Sequence, residues 1–479
     1  MQSDVAGLKE IPSYITGLAV DSRVVTSGNA FFAIPGTHAD GSAFIDDAVH
    51  QGACMVIAQC DRPSHLPDTV AFVHVPNVRK ALAQWAAHFY SLQPSTLVAV
   101  TGTSGKSSVV EFTRQIFQAC GHESASLGTL GVITNQGWDS SMLTTPDTLR
   151  LHRMLQDLAE KQITHVAFEA SSHGLDQYRL EGLRLKAAAF TNLGRDHFDY
   201  HGTREKYLAA KMRLFEQVLP SDGCVVTNVD SIYGGRVEEI ARERGLRCLR
   251  VGKKDSDIGW GQCYPVGYTQ RVDITYNGRS YPLTIPLVGE FQISNALMAS
   301  GLTLACGESA DTVFKSLENL KGVPGRLEVV AQPQGALVVV DYAHKPEALA
   351  HALDAVRPYV TGRLTVVVGA GGDRDVGKRP LLGQIAAQKA DHVIITDDNP
   401  RTEDPSAIRA ALKLGAPEAQ EIGDRREAIT EALHNLQMGD VLVIAGKGHE
   451  NEQIIGDVCT PFSDREVVHD VLRALNRHE

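Results

Sequence analysis

Residues 95–119 read STLVAVTGTSGKSSVVEFTRQIFQA. Leu97–Thr101 is a short apolar, partly β-branched run that suits a buried strand. Gly102-Thr103-Ser104-Gly105-Lys106-Ser107-Ser108 follows, and then Val109, Phe112, Ile116 and Phe117 recur at helical spacing. Strand, glycine turn and helix together make a phosphate loop. The glycines let backbone N–H groups approach phosphate oxygens, and the helix N-terminus favours negative charge. Lys106 is the side chain to reach terminal phosphates, and the Ser107 hydroxyl the one to ligate a divalent cation. The usual spacing would put a glycine at position 100, which is Val100, so the loop is a shorter form, G-T-x-G-K-S. A plain strand-to-helix turn is the alternative.

Two further strands downstream end in polar clusters. THVAF (164–168) leads into Glu169-Ala-Ser171-Ser172-His173-Gly174, and AAAFT (187–191) into Asn192-Leu-Gly-Arg195-Asp196-His197. Ligands of open α/β sheets sit outside the carboxyl ends of strands, so these clusters and the phosphate loop belong to one region. Glu169 and His197 are donors able to hold a divalent cation beside phosphates. A helix over 203–218, with Thr203 as its N-cap, carries Lys211, which by pattern reads as a solvated lysine. Pro146, in the turn Leu143-Thr144-Thr145-Pro146-Asp147, suits the first turn of the following helix. The Gly-, Tyr- and Thr-rich residues 251–288 predict antiparallel strands, and a helix follows from 289.

The βα rhythm continues to the C-terminus. Residues 336–344, 363–375, 391–401 and 440–450 are apolar strands ending in polar or glycine residues, with helices near 346–356, 379–389, 405–414, 424–437 and 465–476. This predicts a doubly wound, Rossmann-like sheet whose strand ends carry His344, Arg374, Asp398-Asn399-Pro400-Arg401 and Lys447/His449/Glu450. Asp-Asn-Pro is turn chemistry, but a turn needs no arginine, and arginine grips a carboxylate in bidentate fashion. Residues 1–93 predict a small α/β unit with strands at 30–36 and 54–59 and helices at 44–51 and 78–90. Its Asp21-Ser22-Arg23 and Gly36–Gly41 segments read as turns with a surface ion pair.

At 479 residues the chain has room for about three domains. A net charge of −11 argues against a general nucleic-acid binder. Eight scattered cysteines without a CxxC pair indicate neither a zinc site nor a disulfide framework, and suit a reduced cytoplasmic setting. MQSDVAGLKE at the start is not patterned as a signal peptide, and no apolar run approaches the ~18 residues of a membrane span.

The ordered motifs DSR (21–23), GTHADG (36–41), TGTSGKS (101–107), TTPD (144–147), EASSHGLDQYR (169–179), TNLGRDHFDYHG (191–202), AAK (209–211), GEFQISN (289–295), PGR (324–326), DYAHKP (341–346), GGDRDVGKRP (371–380), DNPR (398–401) and GKGHE (446–450) run nearly end to end. Together they resemble the Mur ligases, the ATP-dependent amino-acid ligases of peptidoglycan synthesis. The chain looks most like the members that add the third residue of the stem peptide. The resemblance implies three domains: a UDP-substrate domain (1–93), a central P-loop ATPase with a mostly parallel sheet (94–326) and a C-terminal amino-acid-binding domain (327–479). It implies that Val20, Ser22, Thr37, His38 and Ala39, with Thr144, Thr145, Ser171, Gln177 and Arg179, contact UDP-N-acetylmuramoyl-L-alanyl-D-glutamate. ATP would be held by Gly102, Thr103, Ser104, Gly105, Lys106, Ser107, Ser108, Asn295, Arg326 and His344. Arg374, Asp398, Asn399, Pro400, Arg401, Gly446 and Glu450 match the amino-acid site, and DNPR is the signature of meso-diaminopimelate addition.

Lys211 matches the family's carbamylated lysine, which reverses the solvated reading. With Ser107, Glu169 and His197 it would hold Mg²⁺, and Lys106, Lys211, Glu169 and His197 would be the catalytic set. The resemblance further implies a cytoplasmic enzyme; a monomer with no nucleic-acid or membrane partner is expected. The loop departs from the common TNGKTT in its serines, which keep the hydroxyl; Leu143 stands where some relatives have Asn, and Ala370 where Cys is frequent. A lysine-adding member, a folylpolyglutamate synthetase-like ligase and a non-synthetic nucleotide switch are the rival readings.

Overall fold

A computed structural model describes residues 11–36, 39–139, 144–194 and 196–475. Thr37, His38, Leu143, Arg195 and the first ten residues lie outside the described residues. Packing divides the chain into two units: residues up to Lys106 with Phe117–Leu249 and Leu302–Gly307, and Ser107–Ile116 with Arg250–Gly301 and the chain from Glu308 onward.

In the first unit the strands Gly17–Ala19, Asn29–Phe32, Met55–Ala58 and Ala71–His74 form a four-stranded parallel sheet in chain order. Phe32 and Trp85, on the helix Val78–Phe89, meet edge to face at 5.6 Å between ring centroids in the core on one side of that sheet. The larger sheet of this unit runs in the order Cys224–Asn228, Leu185–Phe190, Thr96–Thr101, His165–Glu169, Ser124–Gly128, Gly131–Thr134, Trp138–Asp139. Its strands are parallel as far as Ser124–Gly128, and the last two turn back antiparallel. Leu97, Val98, Ala99 and Val100 are all buried, because a parallel strand covered on both faces reads as a continuous apolar run. The register sets Val100 beside Glu169 and Thr101 beside Phe190. The three polar strand ends predicted from sequence are therefore neighbours on one edge of the sheet.

Helix starts follow side-chain caps. Asp147 accepts from the Arg150 N–H at 3.0 Å and starts Thr148–Glu160. Pro146 is thus one residue ahead of the cap and not in the first turn, since Asp147 supplies the carboxylate that the exposed N–H groups need. Thr203 caps Arg204–Arg213 as predicted, accepting from Lys206 N at 3.3 Å. That helix is shorter than predicted and passes into a five-residue π-helical stretch, Leu214–Val218.

In the second unit Ile258–Trp260, Tyr264–Val266, Thr269–Tyr276 and Arg279–Ile285 form the predicted antiparallel excursion. A six-stranded sheet follows in the order Glu328–Ala331, Leu337–Asp341, Val441–Ala445, Leu364–Val368, His392–Ile395, Gln420–Glu421. All its neighbours are parallel except the first pair. The helices Pro346–Val356, Lys378–Lys389 and Pro405–Lys413 close one apolar core over the sheet, and Arg425–His434 with Asp464–Leu475 close another. The doubly wound expectation holds. An exposed hairpin, Glu452–Ile455 with Val458–Pro461, follows the last strand. All eight cysteines are free. No helix of the described residues is long and apolar enough to cross a membrane.

Candidate active site

The phosphate loop leaves Thr96–Thr101 through Gly102, whose φ of 151° and tight surroundings admit no side chain: a Cβ there would lie 1.9 Å from Thr191 Oγ1. The loop is stitched to the end of the neighbouring strand. Thr103 N–H donates to Asn192 O at 2.9 Å, Ser104 N–H to Asn192 Oδ1 at 3.0 Å, and Thr191 Oγ1 to Ser104 O at 2.7 Å. Gly194 N–H donates to Thr103 Oγ1 at 2.9 Å, and that oxygen lies 3.1 Å from the Tyr207 hydroxyl. Lys106 folds back over the loop, its Nζ donating to Gly102 O at 3.1 Å and Thr103 O at 3.0 Å. Ser107 and Ser108 open the helix Lys106–Ala119 and are buried.

Lys211 is 1% exposed, so the solvated reading is wrong. Its Nζ donates to the same Gly102 carbonyl at 2.7 Å and lies 4.5 Å from the centre of the Tyr207 ring. Burial, and next the charge of Lys106, push its pKa well below that of an ordinary lysine, against a smaller pull from Asp196. Burial likewise raises the Tyr207 hydroxyl to about 12.

Glu169 is also buried, and Thr129 holds both its oxygens: N–H to Oε1 at 2.9 Å and Oγ1 to Oε2 at 3.2 Å. The Thr144 hydroxyl lies 3.0 Å from Thr129 Oγ1. Thr145 Oγ1 bridges Glu169 O at 2.9 Å and Ser171 N–H at 3.1 Å. Ser171 caps the short helix Ser172–Asp176. Arg179 reaches Thr145 O at 2.6 Å and Gln177 Oε1 at 2.8 Å, and Gln177 donates to the Tyr200 hydroxyl at 3.2 Å. Six predicted residues, Thr144, Thr145, Glu169, Ser171, Gln177 and Arg179, thus share one hydrogen-bonded cluster with Thr129 and Tyr200, which sequence reasoning did not single out. His197 takes a left-handed φ of 54°, and its Nε2 lies 3.5 Å from Asp196 Oδ2. Its ring packs edge-on against His173 at 4.8 Å.

Near the N-terminus Ser22 is buried and Val20 exposed. Asp21 and Arg23 form the surface ion pair expected of a turn, and the Arg23 hydrogen bonds bring the Asp21 carboxyl down to about 2. The Ala39 carbonyl accepts from Gly36 N–H at 3.0 Å.

In the second unit Asn295 Nδ2 donates to Gln292 Oε1 at 2.9 Å, and Gln292 Nε2 to Arg326 O at 2.9 Å. The Arg326 guanidinium lies over Tyr342 at 4.8 Å from the ring centre. His344 Nδ1 lies 2.9 Å from Tyr342 O, and burial lowers its pKa. The sheet's carboxyl edge gathers the segments 398–401 and 446–450. Lys447, wholly buried, donates to Asn399 Oδ1 at 2.9 Å and lies 3.4 Å from Glu450 Oε2 and 3.8 Å from Asp398 Oδ1. Asn399 Nδ2 donates to Glu450 Oε2 at 2.9 Å. A Cβ on Gly446 would lie 2.6 Å from Asp398 Oδ2, so glycine lets the two segments touch. Arg401, at φ 53°, donates its backbone N–H to Ile454 O at 3.1 Å and accepts from Gly456 N–H at 2.7 Å. Its Nη1 reaches Gly372 O at 2.9 Å. Arg374 is exposed and touches only the Asp373 carbonyl, at 3.3 Å, among the described residues. Lys447 was read from sequence as a polar strand-end residue but was given no site role; its place between two glycines directly after a fully apolar strand was the available signal.

Three family profiles match: the Mur ligase family catalytic domain over residues 14–90, the Mur ligase middle domain over 100–303 and the Mur ligase glutamate ligase domain over 325–448. The UDP-N-acetylmuramoyl-L-alanyl-D-glutamate--2,6-diaminopimelate ligase of Bradyrhizobium diazoefficiens is 51% identical over 460 residues, 95% of this chain and 94% of that protein. The protein of the same name from Caulobacter vibrioides is 46% identical over 468 residues, 96% and 95% of the two chains. A solved structure under that name superposes with a TM-score of 0.74 at 33% identity, covering 96% of this chain and 95% of that one. The MurF ligase of Thermotoga maritima, solved with ADP, shares the fold at a TM-score of 0.64, 19% identity and 97% and 99% coverage. With its three-domain α/β fold and a match to such relatives along its length, the chain belongs to the Mur ligase family.

Proposed function

We propose that the protein is an ATP-dependent ligase that joins meso-diaminopimelate to UDP-N-acetylmuramoyl-L-alanyl-D-glutamate in peptidoglycan synthesis. The observation that carries this reading is the 51% identity over 95% of the chain to a relative named for that reaction. A carboxylate is a poor electrophile. Transfer of the terminal phosphoryl group of ATP to the D-Glu carboxylate turns it into an acyl phosphate and releases ADP. The free amine of diaminopimelate then attacks the acyl carbon, the amide forms, and phosphate leaves as the amine sheds its proton. Such transfer is mostly positioning and charge neutralisation. The loop amides of Gly102–Ser108 and the Lys106 ammonium supply both; Asn295, Arg326 and His344 are also assigned to ATP.

The donors at Ser107, Glu169 and His197 are hydroxyl, carboxylate and imidazole, and the Glu169 carboxylate is held in one orientation by Thr129, which suits a hard cation. Bound Mg²⁺ would offset phosphate charge there. Lys211 joins this set as its carbamate. Carbamylation needs the free amine to attack CO₂ and lose a proton, and the lowered pKa of Lys211 supports that chemistry. Val20, Ser22, Thr37, His38, Ala39, Thr144, Thr145, Ser171, Gln177 and Arg179 are assigned to the UDP-muramoyl dipeptide. Arg374, Asp398, Asn399, Pro400, Arg401, Gly446 and Glu450 are assigned to diaminopimelate, with Arg401 pairing the far carboxylate that lysine lacks. The proposed domains are 1–93, 94–326 and 327–479, and the proposed setting is a monomer in the cytosol.

Phosphate release measured with ATP, the UDP-muramoyl dipeptide and a panel of amino acids tests the reading. Release should require all three substrates and favour meso-diaminopimelate. Equal turnover of L-lysine would reject the assigned specificity, and nucleotide binding without release would reject synthesis.

A further inference from the structure

We propose that Lys447 is a positioning residue of the amino-acid site, fixing the orientation and charge of Glu450 so that one carboxylate oxygen faces the incoming diamino acid. The inference rests on assigning Glu450 and Asn399 to diaminopimelate. Its basis is a closed set of bonds. Lys447 Nζ and Ile454 N–H both donate to Asn399 Oδ1, at 2.9 and 3.0 Å. Two donors on one atom require that atom to be the amide oxygen, so the Asn399 NH₂ must face the other way, and it meets Glu450 Oε2 at 2.9 Å. Lys447 approaches that same Oε2 at 3.4 Å. Both donors therefore load one oxygen of Glu450, and Oε1 makes no hydrogen bond among the described residues. With both donors on Oε2, Oε1 is the oxygen left for a ligand ammonium.

The charges around the pair agree. Lys447 is wholly buried, which costs free energy unless carboxylates answer it. Asp398 and Glu450 both do. Burial raises the Glu450 carboxyl, Lys447 acts against that rise, and Asp398 adds to it. Arg425 also senses Asp398 and Glu450 but is bound to Asp464, and Tyr342 stands near Glu450 with a pKa that burial raises. Lys447 is thus the cation bonded to Glu450 within the described residues, and without it the carboxylate loses its counter-charge and one of its two donors, while Asn399 keeps only the Ile454 N–H to hold its amide.

The test is steady-state phosphate release by the full chain with each of the three substrates varied in turn. Lys447→Met should raise the KM for diaminopimelate about tenfold or more while the KM values for ATP and the UDP-muramoyl dipeptide stay within about twofold. In a Glu450→Gln background the same change should cost less than about twofold further, because Lys447 would act through Glu450. A fall in kcat with all three KM values unchanged, or a full multiplicative loss in the double variant, overturns the proposal. Lys447→Gln, neutral but still able to donate to Asn399, is measured alongside: a raised KM for diaminopimelate supports the charge role even if Lys447→Met does not fold, and an unchanged KM overturns it. If Glu450→Gln alone leaves the KM for diaminopimelate unchanged, the assignment of the site itself has failed, an outcome separate from the ones above.

Discussion

Lys211, carried by the helix Arg204–Arg213 to the Gly102 carbonyl, and Lys447, just past the strand Val441–Ala445, are both enclosed lysines, and they sit in opposite company. Lys211 meets a backbone carbonyl that Lys106 also occupies, so burial and a like charge both act against its ammonium. Lys447 meets Asn399, Glu450 and Asp398, and beside it Arg425 and Asp464 form a second enclosed pair at 2.7 Å. Side-chain type and burial do not decide what a lysine does; the sign of its neighbours does. The first arrangement works against the charged ammonium. The second yields a rigid, charge-balanced platform.

The largest effect should come from the unbalanced centre. Lys211→Ala is expected to lower kcat by about 10⁴ or more, with partial rescue by bicarbonate or a short carboxylic acid. Full activity without rescue would break the contrast at its first term. On the balanced side, Arg425→Met strands the buried Asp464 carboxylate and should cost about 3–5 kcal/mol in chemical unfolding, while adding Asp464→Leu should recover part of that. A loss below about 1 kcal/mol would show that this platform is not held by charge pairing. Arg401→Ala should raise the KM for diaminopimelate by about a hundredfold and leave that for ATP nearly unchanged, because it removes the side chain proposed to pair with one substrate carboxylate. An equal rise in both would assign Arg401 a structural role.

The smallest effect concerns His152, a buried base whose ring nitrogens meet no side-chain carboxylate among the described residues. Burial holds its pKa at about 4, against 6.5 when free. Its folded form favours the neutral ring, so the contribution is intact above pH 6.5 and is lost as pH falls toward 4, at up to about 1.4 kcal/mol per pH unit. Stability of the wild type should therefore fall relative to His152→Leu across that window, and parallel pH curves for the two would refute the assignment.

Much of the frame was legible because it is written in short apolar runs. Leu97–Val100, the strand into Glu169 and the four strands at 337, 364, 392 and 441 are buried on both faces, so they announce themselves. Ser124–Gly128 did not, since SASLG is buried through small residues and not through hydrophobicity. Ala71–His74 is a half-exposed edge strand, and the hairpin at 452–461 is mostly exposed, so neither needs an apolar pattern. At the site, the phosphate loop and its neighbouring strand ends followed from order along the chain. Lys211 did not, because its helix bears Arg204, Lys206 and Arg213 as well. The signal was one of spacing: Tyr207, Ala210 and Lys211 lie on one helical face, and all three are buried. The bonds of Lys447 join segments some fifty residues apart, and no local pattern encodes them.

Arg401 has a further consequence. Its backbone holds a left-handed conformation that a non-glycine residue adopts at some cost, and both its amide and its carbonyl are tied to the turn of the exposed hairpin. On the assignment made above, selectivity for the third residue is then carried by two chain segments acting as one cassette. Exchanging the four letters DNPR alone would move the side chain without the clamp that aims it. A graft that alters which amino acid this fold accepts should transfer residues 398–401 together with 450–461.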